Sequence, residues 1–319
     1  MKIASFSQSK YKHSAKPGDD VALVIPDQVF AVFDGATDPT GAVYDGQSSG
    51  RFAARIAART VAQLTLSGEL RELPAMAIFQ HISDAVKTEA LRMNASHPPS
   101  TTAAIVLDTG NSYRVLLAGD SGVRINGDKV LQQHKLIDTV STSARIAVFK
   151  QLSSTNDDAD AVEAQTRSII FSGLTKAIAD GILSTADAER IVFHAAEASG
   201  LQNDIGPVDE FLMGGIRVQF HFANRQGHIM GYSSLNGGQV IADGTLDLTY
   251  AKPDVKSIEL FTDGYLTLPA GIDVSDWEAE FARVETADFH KTGLHPAVKG
   301  STSQEYCDDR TVLCLSGLL

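Results

Sequence analysis

The sequence predicts an α+β protein whose strands pair antiparallel. Two features carry that expectation. The elements read in the order strands, two helices, strands, without the alternation that a parallel sheet requires. The strands are joined by tight turn signals, of which Asn126-Gly127 is the strongest. A third feature recurs at strand ends: an apolar run stops on aspartate and glycine, as in "FAVFDG" (30–35) and "LFTDGY" (260–265).

The opening residues read as a polar lead. "VALVIP" (21–26) is the first strand, Pro26-Asp27 a turn and "VFAVF" (29–33) the returning strand. After a Gly/Ser/Thr-rich loop, "GRFAARIAARTVAQL" (50–64) puts Phe52, Ile56, Val61 and Leu64 on one helical face, with Ser48 or Ser49 as cap. A second helix is expected over 75–93, then three strands within 101–133. From about 137 to 200 the pattern is helical and polar. It reads as a helical insertion in a β scaffold, with Ser184 and Asp187 in a capping-box arrangement. "HIMGYSSLNGGQV", "SIELFTDGYLTLP" and "TVLCLSG" are expected to supply further strands, and residues 1–319 are expected to form a single domain.

Composition narrows the function. Acidic residues outnumber basic ones 39 to 27, giving a net charge of −12 and a pI near 5.1. That balance argues against nucleic acid or an anionic membrane as the main partner. No stretch approaches the roughly 20 apolar residues of a membrane span, and the start lacks the apolar core of a secretory leader. A cytoplasmic location is therefore expected. Cys307 and Cys314 flank a strand whose extended length, about 20 Å, is too great for a mutual disulfide. Both are expected as reduced thiols, Cys307 being open to oxidation beside Asp308.

The acids at strand ends carry the chemistry. Magnesium and manganese prefer oxygen ligands, and a strand end gives a carboxylate a rigid base. A following glycine lets a backbone carbonyl approach. Asp20, Asp34, Asp263 and Asp308, each at a strand end, would gather at one sheet edge, where bound cations would offset their repulsion. A lone Asp-Gly is more often a turn, and Asp45-Gly46 and Asp243-Gly244 are read as turns.

In order, "GDD…VFAVFDG", "STTAAIVL", "LAGDSGVRI", "LFTDGYL" and "DDRTVLCL" resemble the motif series of the metal-dependent protein phosphatases, the protein phosphatase 2C family. The resemblance runs from residue 19 to residue 315. It implies a four-layer α/β/β/α sandwich of two antiparallel sheets flanked by helices. It also implies a hydrolase that removes phosphate from phosphoserine or phosphothreonine by a hydroxide bridging two Mg²⁺ or Mn²⁺ ions. Carried over by position, Asp20, Asp34, Asp263 and Asp308 match metal ligands, and Gly35 matches the residue whose carbonyl binds metal. Asp120 matches the acid of a possible third ion. Asp34 and Asp263 would carry catalysis through the metal-bound hydroxide.

Departures from the family pattern are specific. Ala15 stands where the family has a phosphate-binding arginine, with Lys16 one step away as a substitute contact. Ala36 stands where some members have histidine, Gly122 where arginine is usual, and Thr267 where aspartate is frequent. These departures keep two alternatives open: a catalytically weak phosphatase-like binding module, and a phosphatase for a small phosphorylated metabolite. Elsewhere, His134, His194 and His221 read as structural or exposed, and Lys299 and Ser301 as part of a flexible loop. Arg51 and Arg310 read as surface salt-bridge partners.

Overall fold

The first strand is one that sequence patterning does not reveal. In the computed structural model, which describes residues 1–36 and 38–318, the polar opening forms β1 (Lys2–Gln8). Its partner lies at the far end of the chain: Lys2 pairs with Ser316 and Gln8 with Arg310 of β12 (Arg310–Ser316), antiparallel. A pairing across the whole chain leaves no local signal.

Among the described residues, two five-stranded sheets form, both antiparallel. One has the order β1-β12-β11-β8-β9, with β8 at Gly122–Ile125, β9 at Lys129–Leu131 and β11 at Ser257–Phe261. The other runs β10-β7-β6-β3-β2, with β2 at Val21–Ile25, β3 at Val29–Phe33, β6 at Ala103–Asp108, β7 at Ser112–Ala118 and β10 at Thr245–Ala251. The turns follow the expected chemistry. Asp27 after Pro26, and both Asn126 and Gly127, take the left-handed φ that tight reversals need. Asp45 and Gly46 do the same between the short strands β4 (Val43–Tyr44) and β5 (Gln47–Ser48).

The chain packs as two compact units. The first comprises 1–134, 232–283 and 309–319. Its core lies between the sheets: Phe30, Val32, Ala104, Val106, Val115 and Leu117 of one sheet meet Val123, Ile125, Ile258, Leu260, Leu313 and Leu315 of the other. Each side chain of that size adds roughly 1.5–3 kcal/mol when fully buried. Helices α1 (Ser49–Leu66) and α2 (Ala75–Arg92) cover the outer face of the second sheet, through Ala54, Ala57, Val61, Ile78, Phe79 and Ile82 packed on Ala31, Phe33 and Ile105. Alanine at three of those positions lets α1 lie close to the strands. The outer face of the first sheet carries a buried ion pair, Arg124 Nε to Glu259 Oε2 at 2.5 Å, beside the fully buried Trp277. The fold class is thus α+β, a sandwich of two antiparallel sheets with flanking helices.

The second unit comprises 135–231 and 284–308. Helix α3 (Leu136–Ser153) packs on α4 (Ala159–Ser172) and on α6 (Thr185–Ala198). The Ser184–Asp187 capping box is present. Two further helices follow from the same kind of apolar face, α5 (Leu174–Ala179) and α7 (Gly206–Gly214), the latter opened by Pro207 at its start. Arg145 is fully buried here. It donates to Glu163 Oε2 at 2.5 Å and to the carbonyls of Ala297, His290 and Lys291.

Several sequence expectations need correction. "HIMGYSSLNGGQV" forms no strand, contributing isolated bridge residues such as Leu235, paired with Thr101, because its glycines and serines offer no apolar alternation to bury. Strand β10 and helix α8 (Val274–Ala287) lay unread, β10 because both its faces are partly exposed. Arg310 is not a surface residue: it is 4% exposed, forks onto both Glu278 oxygens at 3.0 and 2.7 Å and lies over the Phe281 ring. The loop before Asp308 is densely bonded rather than flexible, with Ser301 buried and donating to Glu285. Lys299 is paired with Asp308 at 3.1 Å.

Cys307 is likewise not poised for oxidation. Burial pushes its thiol up to about 11 and that of Cys314 up to about 12. Both cysteines are free and buried. A disulfide-exchange reagent at neutral pH is expected to label neither thiol in the native protein, and both once urea unfolds it.

Candidate metal centre

Register places three strand ends together. Val32 pairs with Ala104, Ala103 with Ala118, and Phe261 with Gly122. The residues just beyond those pairs are Asp34, Asp120 and Asp263. One carboxylate oxygen from each lies within 4.8 Å of the other two. Asp120 is buried, while Asp34 and Asp263 are half-buried. Three carboxylates so close repel one another strongly. Two unit charges 4 Å apart interact by about 4 kcal/mol at the effective dielectric of a protein surface. All-oxygen donors at partial burial fit a hard divalent cation such as Mg²⁺ or Mn²⁺.

Two of the acids, Asp34 and Asp120, are held through their backbone carbonyls. The Asp34 carbonyl accepts from Thr102 N at 2.9 Å and from Thr101 Oγ1 at 2.8 Å. The Thr102 hydroxyl in turn bonds Ser121 Oγ at 2.6 Å, next to Asp120. Gln132 Nε2 donates to the Asp120 carbonyl at 2.9 Å. Gly35 closes against α1: a Cβ there would lie 2.3 Å from the Gly50 carbonyl carbon and oxygen. Only paired glycines permit that approach. Gly264 is as constrained, because a Cβ would lie 1.9 Å from the Asp309 carbonyl oxygen. Gly264→Ala is expected to destabilise the protein by at least the ~1–3 kcal/mol of an overpacked site, read from the urea midpoint.

Asp20 is not a member of the three-acid cluster. Its Oδ2 accepts from Thr262 Oγ1 at 2.8 Å, and its backbone carbonyl accepts from Arg51 Nη1 at 3.2 Å. Arg51 also donates to the Gly18 carbonyl at 2.7 Å, so it clamps the acidic loop rather than forming a surface salt bridge. Asp19 accepts from Ser48 Oγ, which makes no cap bond to α1. Asp308 belongs to the second unit and pairs there with Lys299. Its neighbour Asp309 accepts from the backbone N–H groups of Lys10 and Asp19 at 2.7 and 2.9 Å, with Lys10 Nζ at 3.5 Å. Lys16 is exposed, its ammonium donating to Tyr11 OH at 3.0 Å.

The departures have physical correlates. At Gly122 a Cβ would lie 2.3 Å from the Phe261 ring, so no larger side chain fits while that ring stays. Thr267 Oγ1 donates to Glu280. Sequence reasoning missed Thr262 and Asp309, and it read Arg51 as a surface salt-bridge partner and Ser48 as a helix cap. The available signals were a hydroxyl residue directly before Asp-Gly and an aspartate doublet at 308–309.

No family model matches the chain, and no curated protein matches it. Solved structures do. A bacterial serine phosphatase aligns at 11% identity over 99% of this chain and 97% of its own, with a TM-score of 0.48. The Mycobacterium tuberculosis serine/threonine phosphatase PstP aligns at 13% identity over 98% and 97%, TM-score 0.46. The Staphylococcus aureus phosphatase Stp1 aligns at 10% identity over 99% and 94%, TM-score 0.46. In solved structures, as in the order of its motifs, what this chain is similar to is the bacterial serine/threonine phosphatases.

Proposed function

We propose that the protein is a metal-dependent phosphomonoester hydrolase of the protein phosphatase 2C type, acting on phosphoserine or phosphothreonine in proteins. On this reading the chain is one domain with a helical insertion and works in the cytoplasm. The observation that supports it best is the convergence of Asp34, Asp120 and Asp263 within 4.8 Å from three separate motifs. Asp34, Asp120 and Asp263 would hold divalent cations; Asp20, Asp308 and the Gly35 carbonyl join them on the motif resemblance. Bound Mg²⁺ or Mn²⁺ would acidify a water and offset charge on the phosphoryl oxygens.

The chain's own residues supply placement. Thr101 and Thr102 hold the Asp34 backbone, and Gln132 holds that of Asp120. Neither cysteine begins a Cys-x5-Arg loop, and both are buried, so no thiol nucleophile is at hand. The test is turnover of p-nitrophenyl phosphate: rates rising with added Mn²⁺ and abolished by chelator support the reading. Turnover absent at every Mn²⁺ concentration sinks it.

One set of observations favours a weaker catalyst. Ala15 offers no cation, Lys16 is engaged by Tyr11, and the Phe261 ring fills the space a side chain at position 122 would need. A phosphopeptide panel run beside a sugar-phosphate panel separates the protein substrate from a small phosphomonoester, and binding without turnover identifies a module that acts by contact.

A further inference from the structure

Thr262 is fully buried and stands one residue before Asp263. Its hydroxyl oxygen accepts the Thr311 N–H at 2.9 Å. That bond leaves the hydroxyl proton for one direction, and Asp20 Oδ2 lies there at 2.8 Å. The Thr262 N–H meanwhile donates to the Thr311 carbonyl at 3.0 Å, extending the β11–β12 ladder by one step. Backbone, hydroxyl and carboxylate thus form one chain of bonds in an almost dry site, Asp20 being 4% exposed. Asp20 and Asp263 come from distant parts of the sequence, yet this hydroxyl ties the first to the residue beside the second.

We infer that Thr262 is a positioning residue that locks the Asp20 carboxylate in register with Asp263, so that cation affinity depends on its hydroxyl. The inference rests on the metal-dependent reading above. Loss of the hydroxyl would remove one of the bonds that orient this carboxylate, and outer partners of metal ligands typically contribute 10–100-fold to affinity. The geometry also dictates which substitutions matter. Serine keeps both bonds. Valine keeps the shape and removes both, stranding the Thr311 N–H as well.

The experiment is Mn²⁺ titration by calorimetry on the full chain, with wild type, Thr262→Ser, Thr262→Val, Asp20→Asn and the double variant Asp20→Asn with Thr262→Val. Thr262→Val is expected to weaken Mn²⁺ binding by about 10–100-fold and Thr262→Ser by less than about threefold. In the Asp20→Asn background, Thr262→Val is expected to add nothing. Wild-type affinity in Thr262→Val, or the same loss with and without Asp20, overturns the inference. Should Thr262→Val fail to fold, Asp20→Asn decides alone: binding equal to wild type removes the carboxylate that Thr262 is said to place. Absence of Mn²⁺ binding by wild type overturns the metal reading itself, and this inference with it.

Discussion

Asparagine at both Asp34 and Asp263 is expected to abolish phosphatase turnover and Mn²⁺ binding while making the metal-free protein more stable. The two halves of that result have one cause. Without a cation, three carboxylate oxygens within 4.8 Å of one another repel. Neutralising two of them removes every like-charge pair in the cluster, a gain on the order of 4 kcal/mol, the repulsion of one pair about 4 Å apart. With cations the same substitutions remove two anionic oxygen donors, and turnover should fall by at least the ~10²–10³-fold that loss of one transition-state donor costs. Thermal melts check the first half: the midpoint without metal should rise by several degrees. Mn²⁺ at about 100 times its Kd should stabilise wild type by roughly 2.7 kcal/mol and the variant not at all. A variant that still melts higher with Mn²⁺ would place the cation elsewhere.

The largest stability loss is expected from Glu259→Ala. Glu259 and Arg124 are 0% and 2% exposed, and the Arg124 guanidinium also donates to the carbonyls of Pro269 and Gly271 at 2.5 and 2.6 Å. Burial pushes the Glu259 carboxyl up against the lowering influence of Arg124. The intact pair therefore adds little net stability, but breaking it leaves a guanidinium buried without its counter-charge. That costs about 3–5 kcal/mol. The midpoint of thermal unfolding should drop by on the order of 10 °C. Since Arg124 also pins the loop that follows Asp263, Mn²⁺ binding should weaken in the same variant. Glu259→Gln, which keeps the shape and one acceptor, should lose less. A melt unchanged by Glu259→Ala would show that the outer face of this sheet is wetter than its packing indicates.

The elements with strong local signals were legible in the sequence. Helices α1 and α2 were readable from apolar spacing, the 126–127 turn from Asn-Gly, and the capping box of α6 from Ser184 and Asp187. Strand β1 was not, because its pairing partner is some three hundred residues away and its own pattern is mixed. The site divides along the same line. Asp34 and Asp263 each end an apolar run, so residue type and position picked them out, together with Asp20 and Asp308, which lie outside the three-acid cluster; Asp120 was picked out only by the resemblance of its motif. Thr262, Asp309 and Arg51 act through bonds to residues roughly 30 to 300 positions distant, so the hydroxyl before Asp-Gly and the 308–309 doublet mark places in the chain without naming their partners.

By itself the sequence nominated carboxylates at the ends of apolar strands as donors suited to a hard cation, since that follows from oxygen chemistry. It also determined most helices and turns, whose causes lie within a few residues. Only the tertiary structure decided that Asp120 sits with Asp34 and Asp263 while Asp20 is held by Thr262, because strand register across two sheets sets those distances. It likewise decided that Arg310 and Arg124 are buried ionic anchors, a matter of what packs over them rather than of their own identity.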